Sequence, residues 1–282
     1  MTIELGRFGL WTSYRAIGEE NAADAAQLAE RLGYGTFWLG GSPRPSMVTP
    51  LLAATKRLCA ATGIVNVWAY PAELVAGEQA QVRSEYPDRF MMGIGIGHPE
   101  ATSDYTRPLK SMREFLDRLD AAQPQLPADG RCLAALGPKM LDLARDRASG
   151  THTYFVAPEH TRFARERLGP DALIAAELAC AVDTDVERGR ATSREYAKLY
   201  LGLQNYTNNL LRFGFDASDI ADGGSDRLID KIVPHGSAEQ IAAAAQAHLD
   251  AGADHVCLQT VGVQGVPQPQ WTALASALGL GG

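Results

Sequence analysis

The sequence has only four cysteines, Cys59, Cys132, Cys180 and Cys257, and no C-x-x-C pair among them. They stand far apart in apolar contexts, so buried reduced thiols in a cytoplasmic protein are expected. None of the six histidines lies at ligand spacing from another or from a cysteine, which speaks against any metal, zinc above all. Lysine and arginine form no run, and the net charge is −7, so neither a nucleic-acid partner nor an anionic membrane is expected. No apolar stretch approaches the ~20 residues that span a bilayer. The first residues, MTIELGRFGLW, lack the basic segment and apolar core of a signal peptide. There is no G-x-S-x-G nucleophile and no carboxylate pair suited to glycoside hydrolysis. No linker rich in Pro, Gly or Ser divides the chain, and 46% hydrophobic with 21% charged residues suits one domain over 1–282.

What is present is a regular alternation of short apolar runs with helical patterns. Strands are expected at Arg7–Trp11, Thr36–Leu39, Gly63–Val67, Phe90–Ile96, Cys132–Leu136, Thr153–Val156, Leu173–Leu178 and His255–Gln259. Ala25, Leu28, Ala29 and Leu32 form a helical stripe that Gly33 ends, and Leu109, Met112, Leu116 and Leu119 form another. Before the last strand, Ile241, Ala244, Ala245 and Leu249 follow Ser237 and Gln240 at capping-box spacing. Eight such units in ~250 residues predict an α/β fold, the TIM (β/α)8 barrel. The surplus chain falls at about 200–236, an insertion between strands seven and eight that should cover the mouth of the barrel.

Chemistry in such a barrel lies at the C-terminal ends of the strands. The stretch MMGIGIGHPE, residues 91–100, ends strand four. Gly93, Gly95 and Gly97 alternate, which fails the G-x-G-x-x-G spacing of a dinucleotide loop. It leaves a strand end bare of side chains that then presents His98. The other strand ends are rich in Trp, Gly and amide groups and poor in acids. Flat, apolar walls of this kind suit an organic cofactor that carries the chemistry itself. The glycine in ATGIVNVW, residues 61–68, reads either as a barrel bend or as a bulge that offers a platform to a planar ring. LGPKM, residues 136–140, reads either as helix punctuation or as a phosphate site with Lys139 beside free amides. His160 and His248 fall in helices and His255 at the start of the last strand, where structural roles are expected. Trp11, Ser42 and Trp68 at strand ends, with Tyr206 and His235 from the insertion, are the candidates for a substrate pocket.

Taken together, LGYGTFWLGG, ATGIVN, PDRFMMGIGIGHP, ALGPKMLDLA, YFVAPEHT, NYTNNL, SDRLID and AGADHV resemble the luciferase-like oxidoreductases. The branch they are similar to is actinobacterial and uses the deazaflavin coenzyme F420. The resemblance runs nearly end to end. It implies a ring leaning on a bulge in strand three, often with a non-prolyl cis peptide, matched here by Gly63, Ile64 and Val65 with Asn66 at a ring-contacting place. It implies a phosphate-bearing tail running to Gly137, Pro138, Lys139 and Met140, near Phe155 and Val156. The bare end of strand four, Gly97 included, would let ring and substrate lie close.

Family members that oxidise sugar phosphates or alcohols carry a catalytic histidine where this chain has Ser42, an acid where it has Gly41, and a glutamate where it has His98. These departures point to a reductase that runs on the reduced coenzyme and a small organic substrate, or to the oxidation of an unrelated substrate, with His98 as the catalytic proton donor. An FMN-dependent monooxygenase and a catalytically idle, cofactor-binding barrel are the other readings. A homodimer is expected.

Overall fold

The computed structural model describes residues 3–101, 105–123 and 127–281. Eight strands form one parallel sheet: β1 (Phe8–Thr12), β2 (Thr36–Gly40), β3 (Cys59–Gly63), β4 (Phe90–Gly95), β5 (Arg131–Leu133), β6 (Gly150–Thr153), β7 (Leu173–Val182) and β8 (His255–Thr260). Neighbours in this order pair with one another, and β8 pairs with both β7 and β1, so the sheet closes on itself. Helices α1 (Ala22–Arg31), α2 (Ala72–Glu85), α3 (Pro108–Ala121), α4 (Pro138–Arg147) and α5 (Pro158–Leu168) surround it. Between β7 and β8 the chain adds α6 (Val186–Leu201), α7 (Gln204–Arg212) and α8 (Asp226–Ile232) before α9 (Ala238–Asp250), and α10 (Gln268–Ala277) ends the barrel. The capping box of Ser237 and Gln240 opens α9. The fold is the closed TIM barrel. Among the described residues no helix is long and apolar enough to cross a membrane.

Strand alternation sorts side chains into two layers. Phe37 and Leu39 of β2, Phe90, Met92 and Ile94 of β4, and Val256 and Leu258 of β8 face the helices. Trp38, Ala61, Met91, Cys132, Ala175 and Cys257 fill the interior. Trp38 is the widest of these. It stacks on His152 with ring centroids 4.0 Å apart, and its Nε1–H donates to His255 Nε2 at 3.0 Å. His255 Nδ1 in turn donates to the Gly6 carbonyl at 2.7 Å. The four cysteines are free and buried, one each on β3, β5, β7 and β8.

Two strands are displaced from their expected positions, and two others end elsewhere, strand five at Leu133 and strand seven at Val182. Strand three is Cys59–Gly63, upstream of the expected Gly63–Val67: small Ala60, Ala61 and Thr62 are fully buried beside Phe37, Trp38 and Leu39 of β2, with which they pair. Strand six is Gly150–Thr153, and the expected Thr153–Val156 is its exit turn, where Phe155 takes a φ of +55°.

Two glycines of β4 mark where backbone and side chain approach closely. A Cβ on Gly93 would lie 2.1 Å from the Thr62 carbonyl oxygen, which cannot move without breaking the barrel. One on Gly95 would lie 2.5 Å from Ile64 Cδ1, the tip of a side chain that can turn. Gly93→Ala is therefore expected to cost about 1–3 kcal/mol of stability, read as a lowered urea midpoint. Gly95→Ala should keep the midpoint closer to wild type and push Ile64 into the mouth of the barrel. Equal midpoints for the two variants would refute this assignment of contacts.

Candidate active site

A cavity of about 690 Å³ opens at the C-terminal ends of the strands. Its floor is Trp11, His152 and Tyr154, the inward-facing residues at the ends of β1 and β6. One wall is nearly bare backbone. β3 ends at Gly63, Ile64 pairs with nothing, and Val65 and Asn66 resume pairing with Ile94 and Gly95. The Gly63–Ile64 peptide is cis. The result is a bulge whose lip, Gly63, Ile64 and Asn66, faces the cavity beside Gly95 and Gly97.

A second wall, beyond the strand next to β4, is Gly137, Pro138, Lys139 and Met140, at the start of α4. Gly137 is the N-cap residue, and a Cβ there would meet no atom within 4 Å, so the helix start is open. The insertion supplies the roof. Asn205, Asn208, Asn209 and Arg212 of α7 line the cavity at the i, i+3, i+4, i+7 spacing of one helix face. The lining contains Lys139 and Arg212 but, among the described residues, no Asp or Glu. An anion is favoured at that end.

The cavity brings together most of the candidates: Trp11, Ser42, the bulge residues Gly63, Ile64 and Asn66, Gly97 with His98, the 137–140 segment and Tyr206. Five candidates lie outside its lining. Val65 is buried in the outer core against the helices. Trp68 donates from Nε1 to the Ile96 carbonyl at 2.6 Å and so pegs the end of β4. Phe155 packs on Tyr200 and Tyr206, turned from the cavity by its left-handed backbone, and Val156 is buried. His235 lies on a two-residue strand beside β7, with Nε2 2.9 Å from Asp230 Oδ1, against Gly189 of α6.

His98 follows Gly97, whose φ is +66°. Its ring centroid lies 4.9 Å from that of Tyr206, and its Nδ1 lies 3.4 Å from Asn205 Nδ2. Burial pulls its pKa below the usual imidazole value, and the Glu100 carboxylate pulls it back up. Glu100 accepts from the Gln204 backbone N–H at 3.1 Å, tying the loop after β4 to the start of α7.

Two polar features under the cavity had no place in the sequence reasoning. Glu177 sits inside the barrel with one carboxyl oxygen 3.3 Å from the Phe155 N–H. Burial pushes its pKa up to about 8, with that N–H pulling the other way, so it is mostly protonated at neutral pH. Tyr154 Oη lies 2.7 Å from Tyr196 Oη and 2.9 Å from Tyr200 Oη, and donates to Gln259 Oε1 at 2.7 Å. This hub joins the ends of β6 and β8 to α6. Helical spacing of Tyr196 and Tyr200 was the signal available for it. Among the described residues no group of three His, Cys, Asp or Glu could hold a metal ion.

An organic ring system fits the groups present. Trp11 Nε1, His152 Nε2 and Asn209 Oδ1 are buried without a hydrogen-bond partner, and all three residues line the cavity. Buried polar atoms of this kind are ordinarily satisfied. One donor on the floor (the Trp11 indole N–H), one acceptor there (His152 Nε2, since Nδ1 donates to the Ala175 carbonyl) and one acceptor in the roof suit a planar heterocycle with its own N–H and carbonyl groups.

The family described as luciferase-like monooxygenase has a model that matches residues 4–255. No curated protein sequence matches the chain. Among solved structures, an F420-dependent secondary alcohol dehydrogenase in complex with an F420-acetone adduct is 17% identical, covering 97% of this chain and 99% of that chain, with a TM-score of 0.75. A coenzyme F420-dependent tetrahydromethanopterin reductase from Methanopyrus kandleri is 14% identical over 97% and 98%, with a TM-score of 0.74. The oxygenating constituent of 3,6-diketocamphane monooxygenase from Pseudomonas putida, a type II Baeyer–Villiger monooxygenase in complex with FMN, is 13% identical over 98% and 96%, at 0.67. At these identities the likeness to the solved structures is one of fold.

Proposed function

Since the chain belongs to the luciferase-like monooxygenase family, we propose that it is a coenzyme F420-dependent oxidoreductase that works as a reductase on a small organic substrate. The observation that carries this reading is the bare slot at the bulge, formed by Gly63, Ile64, Gly95 and Gly97, running to an acid-free end with Lys139 and Arg212. When bound, the deazaflavin supplies or accepts a hydride. The chain's own residues bind and orient it. Ile64 and the glycines would give the ring a surface nearly bare of side chains, Lys139 and the open start of α4 would hold the anionic tail, and the tyrosines would keep water from the floor. His98 and Tyr206 line the substrate side. The family resemblance extends the reading to a cytoplasmic homodimer.

FMN is the second reading, favoured by the FMN-bound neighbour of the same fold. Fluorescence titration of the purified protein with F420 and with FMN decides between them. Tight F420 binding with weak FMN binding is expected, and the reverse order overturns the proposal. Turnover with the reduced coenzyme and carbonyl or alkene acceptors tests the reductase; binding without turnover of any acceptor would leave a cofactor-binding barrel.

Lys139→Ala should weaken binding of the intact coenzyme roughly ten- to a hundred-fold, since one charge-assisted hydrogen bond contributes about 1.5–3 kcal/mol. The effect should shrink for a coenzyme fragment lacking phosphate. Unchanged affinity would make LGPKM helix punctuation alone.

A further inference from the structure

Asn205, on the first turn of α7, has its Nδ2 3.3 Å from the Gly97 carbonyl oxygen, 3.4 Å from His98 Nδ1 and 3.2 Å from Tyr105 Oη. These three contacts fix more than the side chain's place. A carbonyl oxygen only accepts, so the amide group that faces Gly97 has to be the NH2. The opposite flip would set two carbonyl oxygens against one another. The same nitrogen faces His98, so Nδ1 of that ring has to accept. A neutral imidazole with an accepting Nδ1 carries its proton on Nε2. An imidazolium would set N–H against N–H. Tyr105 relieves the competition for two hydrogens among three partners, since its hydroxyl can turn and donate elsewhere.

The surroundings of the ring agree. Tyr206 packs on it from α7, Tyr105 approaches from the segment before α3, and Glu100 is the carboxylate nearest in the chain. That carboxylate is engaged by the Gln204 backbone, one residue before Asn205. Among the described residues, His98 Nε2 has no protein hydrogen-bond partner, and the ring lines the cavity.

We propose that Asn205 is a positioning residue that keeps His98 neutral with its proton on Nε2, so that the cavity offers a hydrogen-bond donor to a substrate bearing an acceptor oxygen, as a ketone, aldehyde or enone does. The substrate class rests on the reductase reading. The tautomer does not. A neutral donor stabilises negative charge growing on that oxygen and needs no titration of its own, so the rate should be level from about pH 6 to 8. An imidazolium acid would instead lose rate as pH rises through its pKa.

The test is long-range ¹⁵N–¹H NMR of the coenzyme-free protein labelled in histidine, with the His98 signals assigned by their loss in His98→Gln. The proton is expected on Nε2 at neutral pH. Asn205→Ala should release the ring to a mixture of tautomers, and Asn205→Asp, which can accept from Nδ1–H, should raise the His98 titration by about one pH unit or more. In turnover, Asn205→Asp should convert the level profile into one that falls with pH. A wild-type proton on Nδ1, an imidazolium at pH 7, or an unchanged tautomer in Asn205→Ala overturns the proposal. The wild-type spectrum alone decides if the variants do not fold. Because no coenzyme is present, a wrong cofactor assignment would leave this result standing.

Discussion

His98→Ala is expected to lower kcat by roughly 10²–10⁴-fold, the range for a group that gives a proton, or a hydrogen bond to the developing oxyanion, in the transition state, with coenzyme affinity little changed. His98 stands at the end of a glycine strand, in the cavity wall on the side of Tyr206 and Asn205. Few groups could replace it. Ser42 is a weak acid, Glu100 is engaged with the start of α7, and His235 is held by Asp230 away from the cavity. Tyr206 is left, its pKa raised well above the usual phenol value, mainly by burial, which makes it a poorer donor than a free phenol. Steady-state kinetics with reduced coenzyme, alongside coenzyme titration, separates the outcomes. A loss of affinity with kcat preserved would make His98 a clamp for the coenzyme. Wild-type values for both would remove it from the chemistry.

Acid should unfold this protein well above the pH at which carboxylates titrate. Burial lowers the pKa of His152 to about 3 and of His160, His248 and His255 to about 4. In the unfolded chain each returns to about 6.5. Below that pH the unfolded chain takes up protons that the native state refuses, so stability present above pH 6.5 is lost as pH falls towards 4. Each such proton is worth about 1.4 kcal/mol per pH unit. Glu177 works the other way: its native pKa of about 8 means that it holds a proton which the unfolded chain gives up above about pH 4.5. Near pH 5 the balance is roughly three protons, or about 4 kcal/mol per pH unit, against a typical native stability of about 5–15 kcal/mol. The hydrogen bonds give the cost a location. Charging His255 would turn Nε2 from acceptor to donor against the Trp38 N–H. Urea denaturation at about pH 7.5 and about pH 5.5 should show the midpoint falling steeply, and equal midpoints would refute the assignment.

Much of the fold was legible because the outer core is written in helical stripes and β-branched or aromatic runs, as in α1 and β2. What was not legible depended on the barrel's interior. Residues 59–63 read as Cys-Ala-Ala-Thr-Gly and give no strand signal, yet the bulk of Trp11 and Trp38 demands small neighbours there. In β6, Gly-Thr-His-Thr reads as a loop, although Thr151 and Thr153 are buried and His152 is stacked under the cavity on Trp38. The bulge, the helix start at Gly137 and His98 could be found from glycine and proline placement, which is local chemistry. Glu177 could not, because LIAAELACAV gives no hint of which face its one acid takes. His235 misled for a related reason. It lies at the edge of the insertion in sequence, but the pairing of its short strand with β7 turns it towards α6.

The four thiols give the closed ring a means of reporting its own failures. Cys59, Cys132, Cys180 and Cys257 belong to four different staves, and burial raises the pKa of each, to about 11 for Cys59 and about 12 for Cys132. A maleimide needs an accessible thiolate, so each label records a moment when that stave had left the ring. Were the barrel to open at a single seam, molecules carrying one or two labels would accumulate. Were it to open as a unit, fully labelled and unlabelled chains would be all that a mass spectrum contained.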